Sequence, residues 1–448
     1  MVENARVEAA KILQKLHLSH GYSHIMLDNL LRRETMSDAE RSLLSRLVYG
    51  VEERRLTLDH FLAQCCNRPL SRLHPTVWEI LRIGAYQILF MDRIPSSAAV
   101  NEAVKSTRAL KQAQASGFVN GILRTLDRRK EELWSEIDNR PDALSIRYSC
   151  PASIISLWTK SYGEEHTLKL LEHINEAPPS VLRLNTLKSD AAKWCRFADS
   201  EGIGFTNLPG LPNSIVIDGG VSRSVLAKFK ACYHQDGASQ YCVAALQPQA
   251  GEQIADVCAA PGGKSFTAAC EMNGRGSILC GDLYPEKCDT IVRRSEELGI
   301  SIIQAVARDA SKPCPKPLIG RFDRVICDVP CSGLGVIRRK PEIRYKNLDE
   351  FSSLPALQYQ ILEQAAKMVR AGGALQYSTC TLNPAENEAV TDRFLQEHPE
   401  FSPRILPLAE CFASLNTEPS HRITLFPHIH GTDGFYVAGF VRKKEESV

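Results

Sequence analysis

Two cysteines in this chain occupy positions where a thiol could react. One lies in Asp328-Val329-Pro330-Cys331-Ser332-Gly333, the other in Ser378-Thr379-Cys380-Thr381. Each follows an apolar run, Arg324 to Asp328 and Gly373 to Ser378, that reads as a buried parallel strand. The residues beside them are not apolar packing residues, which sets them apart from cysteines that serve as small core hydrophobes. Upstream, Asp256-Val257-Cys258-Ala259-Ala260-Pro261-Gly262-Gly263-Lys264-Ser265 has the form of a glycine-bearing strand-to-helix turn, and such turns bind nucleotide-type ligands at the carboxyl ends of parallel strands. A ligand loop with two strand-end thiols suits one difficult reaction, methylation of a pyrimidine at C5. That carbon is a poor nucleophile while the ring is aromatic. A thiolate adding at C6 breaks the aromaticity and places electron density on C5, which can then take a methyl group; loss of the C5 proton expels the thiol. Cysteine fits because its thiolate is accessible near neutral pH and leaves readily. Only one thiol can occupy C6. The other must sit close by, assisting proton removal or release or shaping the pocket. Asp328 is placed to hydrogen-bond the N3/N4 edge of a cytosine and to stabilise the added ring.

The turn Cys258-Ala259-Ala260-Pro261-Gly262-Gly263-Lys264 is neither a dinucleotide G-x-G-x-x-G loop nor a Walker loop. Gly263-Lys264-Ser265 imitates the end of the latter, but Cys258 stands where its first glycine belongs. Asp282 ends the next candidate strand, where an acid commonly takes ribose hydroxyls. Asp309 follows the third strand and is placed for an adenine amino group. Singly, each acid would read as a helix cap or turn residue; at successive strand ends they point to an adenosyl ligand without a phosphate tail, S-adenosylmethionine.

The elements that must position these groups are legible along the 448 residues. Residues 1 to about 140 read as successive amphipathic helices, an all-α bundle. Ala9, Ile12, Leu13 and Leu16 form one apolar stripe, and Ser37-Asp38-Ala39-Glu40 is a capping box before Leu44, Leu47, Val48 and Val51. Residues 141–235 read as a small α+β segment, with one helix from Ile154 to Ile174 and strands at Ser180 to Asn185 and Ile215 to Ile217. From 236 to 448, strands alternate with helices in the pattern of a mostly parallel, Rossmann-like sheet. The remaining candidate strands are Gln253 to Asp256, Ser277 to Asp282 and Ile302 to Val306, with a closing antiparallel pair at Arg422 to Phe426 and Gly434 to Val441. The fold class is therefore multidomain, α and α/β.

Net charge is +2, so nucleic-acid binding must use local patches rather than a global field. No apolar run approaches the roughly 20 residues of a membrane span, and the N-terminal residues lack the apolar core of a secretory signal. Fifteen cysteines without a C-x-x-C pair argue against a disulfide framework or a zinc ribbon and suit a reducing cytoplasm. His428 and His430 read as structural, and no metal is expected. Arg338, Arg339, Lys340 and Arg344 follow the Pro-Cys motif closely and are expected near the target base, holding RNA phosphates. Arg124, Arg128, Arg129 and Lys130 form a second cluster that reads equally as a solvated helix face.

Taken together, these motifs resemble the Sun/Fmu-type RNA cytosine-5 methyltransferases, and among them the bacterial enzymes of 16S ribosomal RNA that carry a NusB-like helical domain. The resemblance covers nearly the whole chain. Besides the three motifs above, it rests on Asn101-Glu102-Ala103-Val104, Phe118-Val119-Asn120-Gly121-Ile122-Leu123-Arg124, Gln235-Asp236-Gly237-Ala238-Ser239-Gln240, Asn383-Pro384-Ala385-Glu386-Asn387-Glu388 and Asp433-Gly434-Phe435-Tyr436. It implies that the loop Cys258 to Lys264, with Asp282, Asp309 and Asp328, holds S-adenosylmethionine. It further implies that Cys380 attacks C6 and that Cys331 helps release product. The implied partner is 16S ribosomal RNA, and the chain is expected to act as a monomer. Three positions depart from the usual pattern. Val329 stands where Ala or Pro is common and is expected to narrow the base pocket, Gly237 replaces an acidic residue, and Tyr345 replaces Trp.

Overall fold

The computed structural model of the chain describes residues 4–19, 27, 36–219, 221, 223–408, 411–412 and 418–444. It divides into two compact units, Met1–Ala177 with Ile337–Leu348, and Pro178–Val336 with Asp349–Val448. The expected boundary near residue 140 thus falls inside the first unit. No helix among the described residues is long and apolar enough to cross a membrane.

The first unit is helical. Its long helices are Ala5–Ser19, Asp38–Glu53, Arg55–Cys65, Pro75–Phe90, Ser96–Ala109 and Ser116–Ile137. The apolar stripes turn inward as their spacing requires: Ala9, Leu13, Leu44, Leu47, Val48 and Val51 are all buried. Each Leu or Val so placed contributes about 1.5–3 kcal/mol relative to exposure. Ser37 caps its helix by accepting from Glu40 N, but only half of the capping box forms, because the Glu40 carboxylate accepts from Ala5 N at 2.8 Å instead. The single helix expected over 154–174 is two, Ala152–Tyr162 and Glu164–His173, separated by Gly163 at φ +85°.

Among its described residues the second unit carries two sheets. The smaller is antiparallel, in the order β2-β3-β1-β4, from β1 (Ser180–Leu184), β2 (Phe205–Leu208), β3 (Leu211–Ile217) and β4 (Cys232–His234). The larger has eight strands. They are β5 (Gln253–Asp256), β6 (Ser277–Asp282), β7 (Ile303–Ala307), β8 (Phe322–Asp328), β9 (Val369–Thr379), β10 (Phe401–Pro403), β11 (Arg422–Leu425) and β12 (Phe435–Arg442). The order is β10-β12-β9-β8-β5-β6-β7, with β11 paired to β12. Strands β5 to β9 pair in parallel, and β12 runs antiparallel to β9. The chain builds β6 and β7 on one side of β5 and β8 and β9 on the other. Strand order therefore reverses at β5/β8, where open α/β sheets leave a ligand crevice beyond their carboxyl ends.

Candidate active site

Asp256 ends β5 and is buried, its carboxylate accepting from Ser265 Oγ at 2.7 Å. Burial pushes its pKa up to about 7. The chain then turns: Ala259 N donates to Gly281 O at 2.8 Å and Gly262 N to Ala259 O at 2.7 Å. Gly262 sits at φ +102°, and a Cβ there would lie 2.4 Å from the Phe266 ring. Only glycine closes this turn onto the helix Gly263–Glu271, whose first N–H groups have no partner within the helix. Beside the turn, Asp282 at the end of β6 is buried and accepts weakly from Ala260 N and Tyr284 N, both at 3.3 Å. Asp309, two residues past β7, accepts from Ser311 N at 2.9 Å and Ser311 Oγ at 2.6 Å, and these bonds hold its carboxyl below the usual range.

Lys264, in the first turn of that helix, reaches back to Asp328 at the end of β8, Nζ to Oδ2 2.6 Å. Burial alone would lower the Lys264 ammonium, but Asp328 beside it carries it upward. Asp328 Oδ1 accepts from Ser378 Oγ at 2.7 Å, which ties β8 to β9. The register explains the contact, because Asp328 pairs with Ser378 across the parallel ladder.

From those paired residues the two thiol loops leave side by side, and the sulfurs of Cys331 and Cys380 lie 3.3 Å apart. Gly335 N donates to Cys380 O at 3.0 Å and Gly434 N to Gly335 O at 2.8 Å. A Cβ on Gly335 would lie 2.0 Å from Gly434 O, so this close backbone approach requires glycine. The Cys331 thiol is pushed well above its ordinary value by the Cys380 thiol beside it, by burial and by Glu386. Both cysteines retain partial exposure.

Sequence reasoning did not reach the residues behind these loops. Glu386 is fully buried and accepts four hydrogen bonds, from Ser332 N at 2.9 Å, Ser332 Oγ at 2.5 Å, Gln358 Nε2 at 2.9 Å and Asn383 Nδ2 at 2.9 Å. Asn387 takes Thr379 Oγ1 at 2.6 Å and donates to Thr381 O at 2.9 Å. The only hint of them was the Asn383 to Glu388 motif, which carried no role of its own.

Three expectations need correction. Val329 does not line a base pocket. It is buried with Val325, Cys327 and Tyr377 in the core beneath the sheet, its N–H donating to Ser378 O. Arg344 is not available to a phosphate. It is fully buried in the first unit, where its guanidinium donates to Glu53 O, Ser149 O, Ile174 O and Asn175 Oδ1. Arg338 is buried as well, while Arg339 and Lys340 keep part of their surface. The second basic cluster pairs along its own helix, Arg129 with Glu132 and Lys130 with Asp127. Two departures have packing reasons. A Cβ at Gly237 would meet Leu208 at 2.6 Å and Thr432 at 2.9 Å. Tyr345 sends its hydroxyl to Glu52 O at 2.7 Å, under the guanidinium of Arg55.

Residues 243–441 match the family "16S rRNA methyltransferase RsmB/F", residues 3–128 the NusB family, and residues 150–223 the RsmF/B-like ferredoxin-like domain. A probable ribosomal RNA small subunit methyltransferase B of Synechocystis is 34% identical over 97% of this chain and 98% of its own length. The protein of the same description in Bacillus subtilis is 34% identical over the same shares of both chains. The crystal structure of PH0851 has the same fold, with TM-score 0.79 at 22% identity over 98% of this chain and 99% of that one. Helical NusB-like region, ferredoxin-like segment and methyltransferase sheet thus follow one another in a single chain, which belongs to the RsmB/F family of small-subunit ribosomal RNA methyltransferases.

Proposed function

We propose that this chain methylates C5 of a cytosine in 16S ribosomal RNA in the cytoplasm, through a covalent bond between Cys380 and C6. The observation that carries the reading is the pair of sulfurs 3.3 Å apart beside Asp328, at the ends of two adjacent parallel strands. S-adenosylmethionine, held by Cys258 to Lys264 with Asp282, Asp309 and Asp328, would supply an electrophilic sulfonium methyl. The donor set fits it: acids at the ends of β6 and β8 and just past β7 accept hydroxyl and amino hydrogens, and the glycine turn lets a ligand approach the backbone.

The thiolate of Cys380 adds to C6, forming the C–S bond while the C5=C6 pair moves to C5, which takes the methyl group. The pair that moved to C5 is then held in the new C5–CH3 bond; removal of the C5 proton frees the C5–H pair to re-form C5=C6, and the C–S bond breaks with its electrons leaving on sulfur. Asp328, fixed by Lys264 and Ser378, orients the N3/N4 edge of the ring. Cys331, whose thiol holds its proton more firmly than a free cysteine, assists release. The target base has to leave its stack to reach these groups, which favours a loop or weakly paired nucleotide. Arg339 and Lys340 remain the candidates for phosphate contact. The test is Cys380→Ala with labelled methyl donor and 16S RNA. Methyl transfer and covalent RNA capture are expected to vanish together, and full activity overturns the assignment.

A further inference from the structure

The Asn383 to Asn387 segment plays no part in the chemistry above, yet it touches both thiol loops. Glu386 grips the Cys331 loop through the backbone and hydroxyl of Ser332. Gln358 adds a second hold, its amide donating both to Glu386 and to Pro330 O at 3.0 Å, so the residues on either side of Cys331 are fixed. The next residue, Asn387, grips the other loop on both sides of Cys380, at Thr379 and Thr381. A bond between Ser332 Oγ and Thr381 Oγ1 at 2.6 Å closes the arrangement. A buried carboxylate is costly unless it is hydrogen-bonded. Four donors satisfy Glu386, none of them a cation, and among the described residues no ion pair reaches it.

We propose that Glu386 and Asn387 form a positioning clamp that sets the spacing of the two thiols and keeps Cys331 the proton-bearing member, leaving Cys380 to act as nucleophile. The proposal rests on the thiol-addition reading above and adds which groups divide the labour. A like charge beside a thiol disfavours its thiolate. Glu386 is bonded to Ser332, the residue after Cys331, and raises the Cys331 thiol, whereas the grip on Cys380 comes from the neutral amide of Asn387. The other titratable groups facing Cys331 are Cys380 and Tyr377, and burial holds the Tyr377 phenol neutral. Lys264 and Asp328, three residues before Cys331 at the end of β8, form an ion pair with each other.

The experiment uses the full chain without RNA or methyl donor. Brief iodoacetamide pulses across a pH series, read by peptide mass spectrometry, give initial alkylation rates at Cys331 and Cys380. In the unsubstituted protein Cys380 is expected to react first, at every pH below the Cys331 midpoint. In Glu386→Gln the Cys331 midpoint should fall, so its alkylation rate rises relative to that of Cys380, while burial and the neighbouring Cys380 keep it the slower thiol. A purely structural role for Glu386 would not move that midpoint in a folded variant. An unchanged Cys331 profile in folded Glu386→Gln, or Cys331 reacting first in the unsubstituted protein, overturns the proposal. The order in the unsubstituted protein is read whether or not the variant folds, and Glu386→Asp, which keeps the charge, should leave Cys331 the slower thiol. Because alkylation needs no RNA, a chain that alkylates in the expected order but never captures RNA would retain the clamp and lose the addition chemistry.

Discussion

Replacing Arg344 by Ala separates two roles open to an arginine that follows the Pro-Cys motif. If it contacts phosphate, its loss weakens RNA binding at every sequence and reduces the salt dependence by about one counterion, with no effect on folding. The structure predicts the opposite. Arg344 is 0% exposed, and its Nη1 donates to Glu53 O at 3.0 Å, Ser149 O at 3.2 Å and Asn175 Oδ1 at 2.9 Å. Nη2 donates to Ile174 O at 3.3 Å. Truncation leaves four acceptors without this donor, in a void the size of the lost side chain. A buried group stripped of its partner costs roughly 1–3 kcal/mol. The losses are not additive, because the carbonyls can shift toward other donors, so a total of about 3–5 kcal/mol is expected, as for other broken buried networks. For a unit of this size, each kcal/mol lowers Tm by about 2–4 °C, which gives a fall of roughly 6–20 °C for the helical unit. Thermal unfolding of the full chain, followed by circular dichroism, measures it. A Tm within about 2 °C of the parent, together with a shallower salt dependence of RNA binding, would refute the burial argument.

Two further outcomes follow from the second unit. Cys331→Ala should still add to RNA through Cys380 but release it slowly, so a denaturation-resistant protein–RNA complex accumulates on gels while turnover falls by about 10²–10⁴-fold, the range for a lost acid–base group; unimpaired turnover without adduct would remove Cys331 from the mechanism. Asp256 has a folded pKa raised to about 7 by burial, above its unfolded value near 3.8. Its contribution is therefore fully favourable below pH 3.8 and is lost as pH rises through 7, so Asp256→Asn should gain stability over the parent across that window, by at most about 4 kcal/mol at pH 8. Urea midpoints measured at pH 5 and pH 8 test the sign, and a gain confined to the acid side would contradict it.

The larger sheet was readable because parallel strands buried on both faces are continuous apolar runs ended by glycine turns and acids. β5 and β6 begin and end as expected, and the others differ by a few residues at their ends. The short strands β2, β4 and β10 were not readable, since three or four residues carry too little alternation to stand out from loop. The break at Gly163 was hidden because the apolar period of Ile154 to Ile174 continues through it, and a lone glycine is tolerated within helical patterns. Arg344 misled for a different reason. Charge and proximity along the chain are visible in a sequence, whereas the helices that enclose residues 337–348 come from far upstream. The same holds for Glu386, Asn387 and Gln358, whose partners lie 54, 8 and 28 residues away, spacings with no local signature.

The closeness of the two thiols depends on the register of β8 and β9, and that register has a structural guard. Residues Arg324 to Asp328 pair one to one with Ala374 to Ser378, but the ladder shifts between Phe322 and Arg324 because extra residues of β9 bulge there. The irregularity sits at the amino end, so the carboxyl halves stay aligned where the chemistry lies. A slip of one residue would turn the side chains of β9 to the opposite face. A slip of two would restore the face but displace Cys380 from Cys331 by about 6.6 Å, at about 3.3 Å per residue. Neither leaves the sulfurs within reach of one ring. The Ser378–Asp328 bond, made between two residues paired in this register, opposes both slips at the point where an error would separate the thiols.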